Sequence, residues 1–279
     1  MEPIEKVRVV AREGERQIER DDALAVEEPL EIRISSTGLT GARSFVTTMR
    51  TPGHDEELVA GLLFAEGVLT SRGDLLRLER PVDPRIDREL RANVMIATLS
   101  PDAHARGEKL ERGTVMGSAC GVCGKTSIEN VIPSDAAPLV SDLRIRPEIL
   151  FSLPGRLREG QSVFSTTGGL HAVGLFDTDG RLRALREDIG RHNATDKLVG
   201  RFFLRDELPL ADSVMMVSGR AGFEIVQKAY SAGIPIVASV SAPSSLAVEL
   251  ADAAGLTLVG FLRERRYNVY ANPARILSE

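Results

Sequence analysis

The sequence contains no tryptophan and only two cysteines among its 279 residues. Two cysteines are too few for the disulfide framework of a small secreted protein. The chain also lacks any run of about 18 apolar residues, which excludes a transmembrane helix. Its first 20 residues are highly charged and carry no apolar stretch typical of a signal peptide. We therefore expect a cytoplasmic protein with no association with a membrane.

The composition is that of a soluble globular protein, with 43% hydrophobic and 27% charged residues. The formal net charge of -5 argues against a protein that coats nucleic acid, because such proteins carry a basic surface. Lysine accounts for only five of the 35 basic residues, and the rest are arginine. Codon bias in a GC-rich genome explains this excess, and recognition of phosphate or carboxylate groups by guanidinium is the alternative. The partners expected are proteins or small molecules.

The first hundred residues carry mainly the patterns of β-strands. The predicted strands lie at 5–11, 30–36, 44–49 and 92–99, with one helix at 56–66 after a turn at 51–55. A polar, glycine-containing stretch from 101 to 124 follows. We predict a smaller, mainly β N-terminal domain with one helix over residues 1–112, a mobile loop at 113–125 and an α/β domain over 126–279.

In the second half, short apolar segments alternate with helical segments of about ten residues. The predicted strands lie at 171–177, 181–186, 213–217, 235–240 and 256–261, and the predicted helices at 145–159, 191–205, 221–232 and 244–254. The strands at 171–177 and 181–186 lie on either side of a turn at Asp179 and Gly180. The alternation that follows, from 213 to 261, predicts a parallel sheet covered on both faces. Because ligands bind at the carboxyl ends of parallel strands, we expect the strand ends to form one polar rim that favours anions.

The sharpest local feature is a C-x-x-C pair, Cys120 and Cys123, surrounded by glycines and followed by Lys125. This spacing occurs in redox pairs, in halves of zinc sites and in sulfur relays. The absence of proline in the motif speaks against a thioredoxin-type site, and the four histidines lie at no zinc-finger spacing. A zinc deaminase would place its histidine before the cysteines, but here His171 follows them. The residues favour a sulfur relay, in which a thiolate carries a sulfur atom.

Four polar clusters accompany the cysteines in the second half. Their candidate binding residues are Gly168, Gly169 and His171; Arg191 and His192; Ser218, Gly219 and Arg220; and the run 263–266. Each cluster also has a purely structural interpretation as a turn, a helix cap, a set of surface ion pairs or a solvated charged face. Taken singly, none of them decides between binding and structure.

Taken together and in order, the motifs resemble those of the formate dehydrogenase accessory sulfurtransferase family, FdhD. The matching segments are SACGVCGK at 118–125, TGGLH at 167–171, REDIGRHN at 186–193, SGR at 218–220 and GFLRERRYNVY at 260–270. A Thr-Pro-Gly turn at 51–53 matches as well. The resemblance therefore extends over nearly the whole chain.

The resemblance implies a sulfur carrier with no metal of its own. Such a protein accepts sulfur from a cysteine desulfurase as a cysteine persulfide. It then transfers the sulfur to the molybdenum bis(molybdopterin guanine dinucleotide) cofactor that formate dehydrogenase requires. By the same resemblance Cys120 is the carrier and Cys123 an assisting or resolving thiol. The segment that binds the cofactor, including its guanine nucleotide part, comprises Phe261, Leu262, Arg263, Glu264, Arg265 and Arg266.

The resemblance also implies a cytidine deaminase-like α/β/α catalytic domain without zinc, and it favours a homodimer. Two other functions remain open from the residues alone. One is a non-catalytic chaperone that binds the molybdenum cofactor for formate dehydrogenase and uses the cysteine loop only for docking. The other is a zinc hydrolase of the deaminase type, which requires a bound metal ion.

Overall fold

The computed structural model describes residues 2–37, 41–82, 87–110, 115–116 and 137–278. The prediction for Cys120 and Cys123 lies outside these residues, as does most of the predicted loop at 113–125. The division into domains at these positions stays a prediction. Among the described residues, every helix is too short or too polar to cross a lipid bilayer.

The chain begins with a two-stranded antiparallel ribbon, β1 (Ile4–Glu13) and β2 (Arg16–Ala25). A turn at Gly14, where φ is +63°, joins the two strands. The sequence pattern predicts only the first of them, because β2 carries charged side chains on both of its faces and is largely exposed.

A five-stranded sheet follows, with the strand order β5-β6-β3-β4-β7. Its strands are β3 (Glu28–Ser36), β4 (Arg43–Arg50), β5 (Leu75–Glu79), β6 (Val94–Leu99) and β7 (Val115–Met116). Its helices are α1 (Asp55–Ala65), α2 (Arg88–Ala92) and α3 (Pro101–Leu110). The alternate residues Leu30, Ile32 and Ile34 are fully buried in its core. The sequence pattern predicts one helix in this region; α2 and α3 are additional, and α3 occupies a stretch expected to be irregular.

The second half forms a six-stranded sheet with the order β13-β12-β11-β10-β8-β9. Its strands are β8 (His171–Phe176), β9 (Leu182–Asp188), β10 (Val214–Val217), β11 (Ile236–Ser239), β12 (Thr257–Arg263) and β13 (Arg266–Ala271). The predicted parallel arrangement of the strands at 213–217, 235–240 and 256–261 is confirmed in β10, β11 and β12. Only β10, β11 and β12 are parallel, because β8–β9 and β12–β13 are hairpins and a tight turn can join only antiparallel strands.

Helices cover both faces of this sheet, as predicted. They are α4 (Pro147–Gly160), α5 (Ser162–Thr167), α6 (Arg191–Leu204), α7 (Phe223–Ser231) and α8 (Ser245–Ala253). Alternate residues of β10 show the two layers: Met215 packs with the core beneath α6, α7 and α8, whereas Met216 packs with the core beneath α4. The mixed α/β class is therefore established, with layers in the order α/β/α.

The two halves of the chain meet where α1 crosses α6. At this crossing a Cβ atom on Gly61 would lie 2.0 Å from the carbonyl oxygen of Asp196, and a Cβ atom on Gly200 would lie 1.8 Å from that of Glu57. The backbones of the two helices therefore touch without intervening side chains. This contact fixes α6, whose first residues are the candidate site residues Arg191 and His192, against the N-terminal half.

Candidate functional site

The strand ends of the six-stranded sheet form the predicted polar rim. His171 is the first residue of β8 and pairs directly with Asp188, the last residue of β9. Because β8 runs antiparallel to β10, His171 lies at the edge where β10 ends and Ser218 follows. The amide of Ser218 donates to the carbonyl of Ala172 at 2.9 Å, and the Ser218 hydroxyl accepts from the amide of Ala172 at 2.8 Å. Two of the predicted clusters therefore meet at this edge.

The predicted cluster that contains Arg191 also lies at this edge, because Gly219 has no side chain to keep it away. A Cβ atom at this position would lie 3.3 Å from Nδ1 of His171 and 4.0 Å from Cδ of Arg191. The imidazole ring and the arginine stem thus flank a backbone position without a side chain. The three sequence-predicted residues Gly219, His171 and Arg191 lie in one group.

Positive charge dominates the cluster of His171, Gly219, Arg191 and Arg220, which we call the cationic group. Burial lowers the pKa of His171, and the charges of Arg191 and Arg220 lower it further. Burial and the charge of Arg220 likewise lower the pKa of Arg191. The Nε atom of Arg191 is buried and has no hydrogen-bond partner among the described residues. Two neighbouring guanidinium groups with an unused donor provide a favourable place for an anion.

His192 differs from His171 because it is turned towards α7. Burial, followed by the charges of Arg191 and Lys228, lowers the pKa of His192 to about 3. Its Nδ1 atom lies 3.6 Å from a carboxylate oxygen of Glu224. At neutral pH the imidazole is uncharged, so this contact is not an ion pair. His192 therefore offers a neutral ring beside the cationic group.

A cleft of about 510 Å³ lies beside the rim. Five of the predicted residues line it, namely Gly168, Gly169, His171, Ser218 and Arg263. Such a volume is within the usual range for small-molecule sites, about 300–1,000 Å³. The cleft is therefore large enough to hold a nucleotide.

The predicted cofactor-binding segment 261–266 forms the end of β12 and its turn into β13. Among its residues only Arg263 lines the cleft, where its guanidinium donates to the carbonyl of Val240. Leu262 is fully buried in the core on the α4 side of the sheet. The remaining four residues, Phe261, Glu264, Arg265 and Arg266, are exposed on the hairpin.

Phe261 has a backbone conformation that is unusual for a residue other than glycine. Its φ angle is +51°, in the left-handed region. The amide of Phe261 donates to the carbonyl of Ser241 at 3.2 Å, which ties the hairpin to the loop after β11. The phenyl ring is 39% exposed. Strained positions of this kind are frequent at functional sites.

The opposite wall of the cleft contains residues that the sequence did not single out. Pro154, Leu157, Arg158 and Gln161 come from α4 and its end, and Phe164 comes from α5. The guanidinium carbon of Arg158 lies 4.1 Å from the centroid of the Phe164 ring. These residues follow no recognisable motif, and only the packing of α4 and α5 against the rim brings them to the cleft.

Gln161 stands out on this wall. The residue is buried, with a relative exposure of 5%, and its Nε2 atom has no hydrogen-bond partner among the described residues. A buried amide group without a partner costs about 1–3 kcal/mol. This cost would be offset if a bound molecule supplied the missing acceptor.

A buried ion pair lies beneath the rim. One interpretation of the sequence placed ion pairs of this region on the surface. The Nζ atom of Lys197 lies 2.7 Å from a carboxylate oxygen of Asp188, and both side chains are almost completely buried. Lys197 also donates to the carbonyl of Thr51 at 2.8 Å, and the amide of Thr51 donates to Asp188 at 3.2 Å. These bonds join the Thr-Pro-Gly turn of the N-terminal half to the rim.

The strand that precedes the cysteine pair also lies near the rim. In β7, Met116 pairs with Thr48 of β4. The hydroxyl of Thr48 donates to Oδ1 of Asn193 at 3.3 Å, and Nδ2 of Asn193 donates to Asp188 at 3.3 Å. Since Asp188 pairs with His171, these contacts lead from β7 to the cationic group.

The described residues contain no group of three or more His, Cys, Asp or Glu side chains that could hold a metal ion. The two cysteines lie outside this part of the chain. The expectation that the protein has no metal of its own therefore stays a prediction.

Comparison with known proteins gives close relatives over almost the full length. The Sulfur carrier protein FdhD of Mycobacterium tuberculosis is 48% identical over 267 residues, which cover 94% of this chain and 95% of the relative. That of Streptomyces coelicolor is 49% identical over 259 residues, covering 92% and 90%. That of Sulfurisphaera tokodaii is 40% identical over 278 residues, covering 98% and 99%.

A solved structure is similar in fold as well. It is a crystal structure of a protein described as a formate dehydrogenase accessory protein from Desulfotalea psychrophila. The TM-score is 0.72 at 26% sequence identity, over 99% of this chain and 100% of the other. The sequence model of the FdhD/NarQ family matches residues 25–277. This chain therefore belongs to the FdhD/NarQ family.

Proposed function

We propose that this chain is a sulfur carrier that receives sulfur from a cysteine desulfurase and delivers it to the molybdenum bis(molybdopterin guanine dinucleotide) cofactor of formate dehydrogenase. One observation carries the proposal. Relatives that are 40–49% identical over nearly the whole chain bear the name Sulfur carrier protein FdhD, and the only two cysteines of this chain form a C-x-x-C pair.

The first chemical step loads the carrier. The Cys120 thiolate attacks the terminal sulfur of the persulfide on the donor, the S–S bond of the donor breaks, and the donor leaves as a thiolate. Cys120 then holds a persulfide. Cationic surroundings stabilise a thiolate and lower its pKa, and Arg191 and Arg220 supply positive charge at the rim.

The second step releases the sulfur as sulfide. The Cys123 thiolate attacks the inner sulfur of the Cys120 persulfide, the two cysteines form a disulfide and HS⁻ leaves. The two electrons that reduce the sulfur come from the cysteines, and a cellular dithiol must reduce the disulfide before the next cycle. The molybdenum cofactor is the substrate that takes up the sulfide.

The described residues also fit the anionic, nucleotide-containing acceptor. The cleft of about 510 Å³ suits one guanine nucleotide end, and Arg263 and the unused donor of Arg191 suit its phosphate groups. The cofactor has two such ends, so a homodimer would offer two clefts. We also propose that the protein is cytoplasmic and that its α/β/α domain has a fold related to that of cytidine deaminases.

Complementation tests the proposal against the chaperone alternative. A strain that lacks its own carrier gene receives the unchanged chain, a Cys120→Ala variant or a Cys120→Ser, Cys123→Ser double variant, and formate dehydrogenase activity is measured. The proposal expects activity only with the unchanged chain. A double variant that accumulates to the same level and restores activity would support a cofactor chaperone instead.

A further inference from the structure

The ribbon of β1 and β2 joins no larger sheet among the described residues. Its strands pair with each other from Ile4 and Ala25 to Glu13 and Arg16, and neither pairs with a strand of the two larger sheets. Residues 12–22 are all exposed. A two-stranded ribbon by itself is at best marginally stable in water. The ribbon therefore has a free edge at which a further strand would stabilise it.

The backbone of β2 shows which residues face this edge. The ribbon turns through two residues, and the pair that closes such a turn is hydrogen-bonded. Bonded and non-bonded pairs alternate along an antiparallel ladder, so Glu19, Asp21 and Ala23 direct their amide and carbonyl groups outwards. The amide of Ala23 has this direction, since it donates to the carboxylate of Asp22 at 2.9 Å. The outer edge of β2 therefore offers donors and acceptors to a neighbouring strand.

Four side chains on one face of β2 follow a self-complementary order. Ile18, Arg20, Asp22 and Leu24 point to the same side, because side chains alternate along a strand. Ile18 is 42% exposed and Leu24 is 49% exposed. Charges on an edge strand ordinarily prevent its pairing with another chain. Here a strand of the same sequence that runs the opposite way would place each charge opposite its counterion and each apolar side chain opposite another.

We propose that β2 pairs with β2 of a second copy of this chain, antiparallel and about a two-fold axis at Asp21. In this register Arg20 lies opposite Asp22 of the other copy, and Ile18 lies opposite Leu24. Symmetry repeats both pairs, and the two ribbons form one four-stranded sheet. Opposite charges and apolar side chains that face each other across two strands stabilise a sheet.

The charges of β2 disfavour the neighbouring register. An axis at Arg20 would place this residue opposite its own copy and Ile18 opposite Asp22. At the proposed axis Asp21 also lies opposite its copy, but on each ribbon Arg8 lies 3.9 Å from the Asp21 carboxylate and offsets the repulsion. Only the axis at Asp21 gives two ion pairs together with two apolar pairs.

The ribbon also reaches the candidate site. A Cβ atom on Gly169, which lines the cleft, would lie 3.5 Å from the Cβ atom of Ala25 at the end of β2. The sequence model of the FdhD/NarQ family matches residues 25–277, so it begins where the ribbon ends. The proposed function calls for two clefts but names no surface where two copies meet. Paired ribbons supply that surface, whatever chemistry the clefts perform.

Cysteine cross-linking tests this register. Asp21→Cys is made in a full-length chain that carries Cys120→Ser and Cys123→Ser, so the new thiol is its only one. On the two-fold axis the two Cα atoms would lie about 5.5 Å apart, a separation that a disulfide spans. We expect mild oxidation to give a disulfide-linked dimer. The matched control is Glu19→Cys, whose Cα atoms would lie about 14 Å apart and cannot be bridged.

Charge reversal gives an independent readout. Size-exclusion chromatography with light scattering should give the mass of two 30.2 kDa chains for the unchanged protein. Arg20→Asp should raise the dissociation constant of the dimer at least about tenfold. The exchange Arg20→Asp, Asp22→Arg should restore the dimer, because each pair of opposite charges forms again. Lys6→Asp places the same new charge on β1, away from the interface, and should leave the dimer intact.

Three results would overturn the ribbon interface. They are a monomeric unchanged protein, a Glu19→Cys chain that cross-links as fully as Asp21→Cys, and a dimer that Arg20→Asp does not weaken. Each of them would leave the proposed sulfur transfer standing, because the loading of Cys120 is measured separately in the unchanged chain.

Discussion

Replacing Gly200 by alanine should destabilise the protein severely, because this position lies where α6 and α1 touch. A Cβ atom there would lie 1.8 Å from the carbonyl oxygen of Glu57 and 2.7 Å from the amide nitrogen of Gly61. Ordinary contacts are about 3.5 Å, so the helices would have to separate by roughly 1.5 Å. Both obstructing atoms belong to the backbone and cannot rotate away.

The magnitude follows from the packing that such a separation would disrupt. Overpacking a core usually costs about 1–3 kcal/mol when side chains can adjust. Here the two helices must move as bodies, so we expect a loss of at least about 3 kcal/mol in the free energy of unfolding. Urea unfolding followed by far-UV circular dichroism measures this loss, since the chain has no tryptophan for fluorescence.

Gly155→Ala is the matched control, because it makes the same change in a helix where no atom lies within 4 Å of the added Cβ. This variant should gain about 0.5–1 kcal/mol from the better helix propensity of alanine. If Gly200→Ala unfolds at the same urea concentration as the unchanged protein, the close crossing of α1 and α6 is refuted.

Three further predictions concern charge near the rim. Burial raises the pKa of Asp196 to about 6 despite its ion pair with Lys228. The stabilisation that Asp196 contributes is therefore complete below about pH 4 and is lost as the pH rises through 6. Over this range the free energy of unfolding should fall by about 3 kcal/mol, and Asp196→Asn should abolish this fall. A stability difference between the two proteins that is constant with pH would contradict this. The imidazole of His192 should stay neutral down to pH 5 in NMR titrations, because its pKa is about 3; a midpoint near 6.5 would refute its burial. Arg191→Met should weaken pyrophosphate binding by about tenfold in calorimetry, whereas Arg181→Met, in an exposed turn, should leave it unchanged; equal affinities would remove Arg191 from the site.

Much of the second half can be predicted from its sequence because short apolar strands and helices alternate there. The predicted ends of β10 and β11 lie within one residue of those in the structure, so the rim could be placed from the pattern alone. The edge strand β13 could not, because the charged run 263–266 leads directly into it and Ala271 is the only one of its residues that is fully buried. The first half was harder, since β2 has no apolar face and α3 begins at a proline in a polar stretch.

In the candidate site, too, some residues could be predicted from the sequence and others could not. The positions of His171, Ser218 and Arg191 at the rim were predictable, because His171 and Arg191 begin regular elements and Ser218 directly follows one. Gln161 was not, because its significance depends on its burial and on an unused donor, which only the packed structure reveals. The Asp188–Lys197 pair was visible as two charges, but its burial beneath the Thr-Pro-Gly turn depends on a contact between distant parts of the chain.

The most direct test of the central claim is peptide mass spectrometry under non-reducing conditions, after incubation with a cysteine desulfurase and free cysteine. We expect a gain of one sulfur atom on the peptide that holds Cys120 and Cys123, and we expect this gain to be lost in Cys120→Ala. A chain that gains no sulfur, while the same desulfurase loads another acceptor, would contradict the claim that this protein is a sulfur carrier.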